Sequence, residues 1–513
     1  MNARWRPVLP AVGVAAALSV AYLLAPPLGT DLSAQVARAD FFAAHGLTPI
    51  DLRWYGGIDQ FGYSLVSPAL MAALGTGTVA VLSLLTAALA FAALLVRADV
   101  RRPVLGGVVG AVCVAGNLAS GRVTYGLGVA FGLLALLALT AKNPLIRYGG
   151  AATAGLLAGL TSPVAGLFVG LAGTALLVTR HRSGAVLAGV GALGLGLTGL
   201  LFGEGGVMNI SARDTRGAVV ASLLVAVFAV HRPVRVGAVL SAAGVLAAFL
   251  IDTPVGLNAT RLAVMFALPI LAATGDLPFR RRTTAPTGPW TTDRLRWGVL
   301  LVAAAVAFWL APPVVVADLR DAGNPANERS FYTPLTEALR THRATRTEVV
   351  PTRDYWEAAY VAPLARGWLR QLDLERNPLL YENLPGGTKL TADNYRDWLR
   401  ENAVSHVAVS DAEPSWLARP EAALVRSGLP YLTEVWRDAH WRLYAVANPE
   451  PVVAGYIEAD AVSVTFAAEA PGRRVVRVRY SRWLRMPGGT LTPGPGGWTT
   501  AEVPGPGLFR VSS

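Results

Sequence analysis

Eleven apolar runs fill the first 317 residues of this 513-residue chain and leave little choice of fold. They lie near residues 8–26, 77–96, 103–119, 123–141, 149–162, 164–179, 184–202, 216–230, 236–251, 259–274 and 298–317. About 20 helical residues cross a bilayer core of about 30 Å. Backbone polar groups in lipid must be satisfied within the segment, so each run reads as a helix. The expected fold is a mainly α polytopic membrane protein with about 11 transmembrane helices. Composition agrees, since 53% of residues are hydrophobic, 15% are charged and the mean hydropathy is +0.44, beyond the range of soluble domains. No small-residue cleavage site follows the run at 8–26, which therefore reads as a retained first span.

The net charge of +12 invites a nucleic-acid reading until it is placed along the chain. From Asp318 onward 23 basic residues meet 23 acidic ones, so the excess belongs to the apolar part. With the N-terminus inside, the inner segments hold 16 Arg and Lys and the outer loops hold six: Arg38, Arg53, Arg122, Arg213, Arg216 and Arg261. That asymmetry is the positive-inside pattern, and it excludes nucleic acid as the partner. The chain is expected in the cytoplasmic membrane, multi-pass, with the C-terminal domain outside. The basic stretch at 279–296 reads as an inner linker against anionic headgroups.

Hydropathy drops after Asp318. Short β-type runs at 348–350, 406–409 and 441–446 alternate with amphipathic helical stretches at 333–341 and 391–402, an α/β pattern. From about Glu458 the sequence alternates and is rich in turns, as in a small β-sandwich or meander. The expected division is a transmembrane domain at 1–317 with a first outer loop at 27–68, an extracytoplasmic α/β domain at 318–450 and a small β-rich domain at 451–513. Cys113 is the single cysteine, so no disulfide framework forms within the chain.

The first outer loop is too long for a turn and carries Asp31, Asp40, Asp51 and Asp59. Asp31 follows the first span by a few residues and shares its level with Arg122 and Arg261, the latter preceded by Asn258. Ionisable groups at that depth are functional candidates by default. The competing readings are helix capping for Asp31 and interfacial snorkelling for the arginines. Residues 34–44 read as an amphipathic helix with Leu32, Val36 and Phe41 on the apolar side and Gln35, Arg38 and His45 off it. Trp54, Tyr55, Gly56, Gly57 and Asp59 follow, either as an aromatic membrane belt or as a place where a sugar ring approaches closely. Asp40 and Asp51 read as surface charges. Nucleotide, zinc-protease and hydrolase motifs are missing, and the six histidines are scattered.

A carboxylate just after span one, in Thr30-Asp31-Leu32, an amphipathic loop behind it, many spans and an outer C-terminal domain together resemble the GT-C class of membrane glycosyltransferases. Actinobacterial arabinofuranosyltransferases, protein O-mannosyltransferases and oligosaccharyltransferase subunits belong to that class. The chain departs from the mannosyltransferase pattern in having Asp31-Leu32 where that pattern has an Asp-Glu pair. Its Ala, Gly, Arg and Val content resembles proteins of high-GC actinobacteria.

The resemblance implies transfer of a sugar from a polyprenyl-phosphate donor to an envelope glycan, lipid or protein acceptor on the outer face of the bilayer. Asp31 would be the general base with Asp59 in reserve, Arg122, Arg261 and Arg38 would bind the donor phosphate, and Trp54, Tyr55, Asn258 and Trp368 would contact sugar or acceptor. The implied enzyme is a hexosyl- or pentosyltransferase. No cofactor is required by this reading, and a divalent metal is compatible with it. The rival is a non-catalytic transporter, flippase or envelope assembly factor on a GT-C-like scaffold. It calls for polar residues at mid-membrane and for symmetric halves.

Overall fold

The computed structural model describes residues 3–276 and 289–513. The expected inner linker falls partly outside this range, at residues 279–288. The chain divides into two compact units. One is helical and comprises Met1–Gly29, Tyr63–Leu201 and Val207–Ala322; the other comprises Thr30–Gly62, Phe202–Gly206 and Gly323–Ser513.

In the helical unit every apolar run coincides with a helix. Five helices are long and apolar enough to cross a membrane by length and composition: Trp5–Leu24, Thr76–Arg97, Gly184–Phe202, Arg232–Leu250 and Gly256–Thr274. Pro103–Ala119, Val123–Ala138, Pro163–Val178 and Trp297–Leu310 are shorter apolar helices. The run expected at 149–162 is Ala151–Thr161, entered through a π-helical turn at Leu145–Gly150. Local chemistry sets several starts. Pro103 and Pro163 occupy first-turn positions, where a missing N–H costs nothing, and the Ser162 hydroxyl accepts the Ala165 N–H at 3.4 Å. The interior is lined by small residues, among them Ala218, Ala221, Ala158 and Ala263, while Leu24, Leu200, Leu250 and Trp309 point outward. Small residues inside and large apolar ones outside is the packing of helices in lipid, where close contact replaces hydrophobic drive.

The second unit has two cores. The first packs around a four-stranded sheet ordered Thr347–Val349, His406–Ser410, Trp441–Val446, Leu432–Arg437, with the first pair parallel and the rest antiparallel. Helix Ala392–Glu401 starts with a capping box, in which the Thr391 hydroxyl and the Asn394 side chain each take a backbone N–H of the other residue. Its Tyr395, Trp398 and Leu399 join Val407, Val409 and Val425 in this core.

The second core lies between two three-stranded antiparallel sheets. One contains Gly472–Arg479, Trp498–Val503 and Thr490–Pro493, and the other Ser463–Ala468, Gly507–Ser512 and Tyr456–Ala459. Val464 and Phe466 of one sheet and Val476, Val478 and Val503 of the other share the interior, as in a sandwich. Ile50 and Leu52, from the loop after the first span, are buried in that same interior.

Candidate functional site

Of the loop after the first span, Thr30–Gly62 belongs to the second unit. Helix Leu32–His45 follows Asp31, which occupies the N-cap position without a capping side-chain bond. Ser33 donates to the Asp354 carbonyl at 3.0 Å, and the Trp368 indole N–H donates to the Thr30 carbonyl at 2.8 Å, so the backbone on both sides of Asp31 is held. The Asp31 side chain is buried, and the Arg370 guanidinium lies within its electrostatic range.

The helix differs from its expected orientation, because Gln35 and Arg38 are buried with the apolar side. Arg38 donates to the Gln60 carbonyl at 3.4 Å and lies 6.0 Å from the Trp54 ring centre. A long guanidinium can sit inside where carbonyls and aromatic faces receive it.

Trp54 is fully buried and donates its indole N–H to the Ala358 carbonyl at 2.9 Å. Tyr55 is also buried, with its hydroxyl on the Gly367 carbonyl at 2.8 Å. Neither ring presents a face to solvent. Trp368 spends its N–H on Thr30. Asp51 corrects the surface-charge expectation: it is 3% exposed and forms a 2.8 Å ion pair with Arg53 while also accepting the Arg53 backbone N–H. A carboxylate is tolerated at that burial because a two-residue turn delivers its own counter-ion. Asp40 is exposed and stands 3.7 Å from Arg329.

Asp59 lies in the short hairpin Ile50–Asp51 with Ile58–Asp59. Glu204, which the sequence left unremarked in a glycine-rich link between two apolar runs, accepts the Asp59 backbone N–H at 2.5 Å and stands 3.8 Å from Arg376. Burial pushes the Asp59 carboxyl up to about 6 and the Glu204 carboxyl to about 7, in each case against the pull of Arg376. Among the described residues no His, Cys, Asp and Glu cluster could hold a metal ion.

The helical unit holds the two expected arginines together. Arg122 caps helix Val123–Ala138 and Arg261 opens helix Arg261–Thr274. Both guanidiniums act on the hydroxyl of Tyr125, and Arg261 lies 5.0 Å from the centre of that ring. The Tyr125 hydroxyl is buried and makes no hydrogen bond. Asn258 sits half-buried in the 3-10 turn Gly256–Thr260 that leads into Arg261.

Tyr125 also lines a cavity of about 340 Å³ whose walls, including Phe91, Leu133, Phe168, Val225 and Phe266, are almost entirely apolar. An apolar cavity is therefore lined in part by a tyrosine that two guanidiniums, each at the start of a helix, influence. Cations are disfavoured at helix N-termini, by about 0.3–1 kcal/mol each, and an anion bound there would reverse that cost. Tyr125 was hidden in the sequence by the apolar run around it.

One further contact lies within the helical unit. Gly29, at φ +87, packs backbone to backbone on Ser120 and Gly121, where a Cβ would fall 2.1 Å from the Ser120 carbonyl carbon. Only glycine fits there.

No family model and no curated protein matches the chain. Among solved structures it is similar to the cryo-EM structure of arabinofuranosyltransferase AftD from mycobacteria, with a TM-score of 0.47 and 17% identity over 91% of this chain and 41% of that one. A mutant of the same protein gives 0.47 and 16% over 88% and 42%. The chain thus spans about two-fifths of the length of those structures.

Proposed function

We propose that the chain is a GT-C-type membrane glycosyltransferase that moves a sugar from a polyprenyl-phosphate donor to an envelope glycan, lipid or protein acceptor on the outer face of the cytoplasmic membrane. The observation that carries this reading is the apolar cavity lined in part by Tyr125, whose hydroxyl makes no hydrogen bond and lies within electrostatic reach of Arg122 and Arg261. A prenyl chain matches apolar walls, and a phosphate matches two guanidiniums and a hydroxyl donor.

In the proposed step Asp31 takes the proton of the acceptor hydroxyl while its oxygen attacks the anomeric carbon from the face opposite the donor phosphate. The anomeric carbon–oxygen bond to phosphate breaks and the polyprenyl phosphate leaves with the electron pair. Arg122 and Arg261 offset the charge that develops on it. The outcome is inversion, with no nucleotide consumed. In this reading the N-terminus lies inside, residues 1–317 are the spanning part and carry the runs read as eleven spans, and 318–450 and 451–513 form the outer domains that receive the acceptor. Asp59 is the reserve for the base.

The test is consumption of lipid-linked sugar by membranes holding the protein. Asp31→Asn is expected to lower turnover about 10²–10⁴-fold, the usual worth of a positioned base, with donor KM little changed. Arg261→Ala is expected to raise donor KM more than acceptor KM. Undiminished transfer by Asp31→Asn refutes the assignment of the base, and an unchanged donor KM in Arg261→Ala refutes the phosphate role.

A further inference from the structure

Five residues, Phe202–Gly206, leave the end of helix Gly184–Phe202 and belong to the second unit before the chain resumes in the helical one at Val207. They are held by three kinds of contact. Phe202 stacks on Trp483 with ring centres 5.6 Å apart and planes 23° apart, and packs against Phe61 at 5.3 Å. Glu204 accepts the Asp59 N–H and approaches Arg376. Gly206 lies against the backbone of Gln371.

The charged groups facing Glu204 are Arg376, Asp59 and Arg38; those facing Asp59 are Arg376 and Arg482. The Glu375 carboxylate stands beside Gly205. Two carboxyls on facing segments therefore lean on the Arg376 guanidinium, and an Asp59 oxygen, Oδ1, is buried without a hydrogen bond. An ionised carboxylate with an unmatched buried oxygen costs far more than a protonated one.

We infer that Phe202–Gly206 is a proton-locked strap, docked on the second unit while the Asp59 and Glu204 carboxyls retain a proton and loosened when both ionise. The direction follows from the environment. Burial holds Glu204 at about 7 and Asp59 at about 6, above the ordinary values of 4.5 and 3.8. A group whose pKa is raised by docking favours the docked form at low pH. That advantage erodes as pH climbs past the undocked value, by up to about tenfold per unit for one group, and is spent once pH exceeds the docked value. The strap is thus tightest below about pH 4, loosens progressively through pH 5 to 7 and is loosest above pH 7. This inference stands on the second unit alone and is independent of the proposed transfer reaction.

The test is hydrogen–deuterium exchange of the full chain in detergent at pH 5.5 and 8.0, with Glu204→Gln measured at the same pH so that intrinsic exchange rates cancel. The protection of residues 202–206 in the wild type, divided by that in Glu204→Gln, is expected to fall at least tenfold between the two pH values. Peptides from helix Arg232–Leu250 should show no such change. A fall of less than threefold overturns the inference. Asp59→Asn gives a second reading that does not require Glu204→Gln to fold normally: its own protection at 202–206 should change less with pH than that of the wild type, and an equal change again overturns the inference.

Discussion

Replacing Arg366 by Met removes the cation from the most heavily buried charge cluster of the second unit. Arg366 pairs with Glu348 at 2.5 Å, with Glu421, and with Asp373 at 3.8 Å. The remaining lone pairs are filled by neighbours: Tyr395 donates to Glu421 at 2.9 Å, and Tyr381 and Asn377 donate to Asp373 at 2.6 and 2.7 Å. The cluster ties strand Thr347–Val349 to helices Ala392–Glu401 and Arg419–Arg426. Breaking a buried ion pair by removing one partner costs about 3–5 kcal/mol, because the other charge is left uncompensated. For a unit of about 230 residues, each kcal/mol moves the midpoint by about 2–4 °C, so the expected fall is about 6–20 °C.

The pH dependence fixes the mechanism. Burial already holds Glu348 and Asp373 above the ordinary carboxylate range despite Arg366, and without that cation they rise further. Their protonated forms are then favoured in the folded state. The penalty should be smallest near pH 4, where the unfolded acids also bind protons, and should grow towards pH 7. Thermal unfolding of the full chain in detergent, followed by near-ultraviolet circular dichroism of its tryptophans, measures it. Glu348→Gln and Glu421→Gln added to Arg366→Met should recover part of the loss at pH 7. A midpoint change below 2 °C, or a deficit that shrinks as pH rises, refutes the reasoning.

Two further outcomes are expected. Gly367→Ala would place its Cβ 2.6 Å from Cγ of the buried Trp54; overpacking of this kind costs about 1–3 kcal/mol, and the same unfolding assay should show it, with the added cost smaller in a Trp54→Ala background, which has no Cγ. His406 is buried, and desolvation holds its imidazole down at about 4. The unfolded imidazole binds a proton below about 6.5 while the folded one stays neutral to about 4, so stability should fall as pH drops through that window. His406→Gln should flatten that limb of the stability profile relative to the wild type, as read by denaturant titration at each pH.

What could be read from the sequence was whatever repeats along it. Apolar runs, alternating strands and amphipathic stretches have a period, and the runs read from it coincide with helices and strands, with starts about four residues early at Ala212 and Arg232 and nine early at Pro289. Arg122 and Arg261 stand at helix starts that the apolar runs mark, and both guanidiniums act on the Tyr125 hydroxyl. Glu204, Tyr125 and the burial of Asp51 were not legible, for different reasons. Glu204 sits in Gly-Glu-Gly-Gly, which reads as a turn whatever its carboxylate touches. Tyr125 is one more apolar residue in an apolar run. Asp51 depends on an arginine two residues away, a spacing that carries no burial signal. The loop's partners were further out of reach, since Trp54 finds its acceptor 304 residues along the chain.

Those long-range partners change what the first loop can be. Gly56 and Gly57 suggested room for a sugar, yet the space beside Gly56 is filled by protein: at φ +71 its Cβ would fall 2.9 Å from the Trp498 ring and 3.1 Å from the Arg477 carbonyl oxygen. Its own carbonyl accepts the Arg479 N–H at 2.8 Å, and that of Gly57 accepts Arg376 at 3.0 Å. With Trp54 and Tyr55 committed in the same way, the middle of the loop is a clamp. A clamp of this kind suits the proposed chemistry better than a mobile loop would, because a general base contributes only when its position is fixed before the substrate arrives. Asp31 begins the clamped segment, with Trp368 bonded to the residue before it and Ser33 bonded two residues after it. The backbone on both sides of Asp31 is therefore held, and Trp54 and Tyr55, first considered for sugar contact, are spent on hydrogen bonds within the fold.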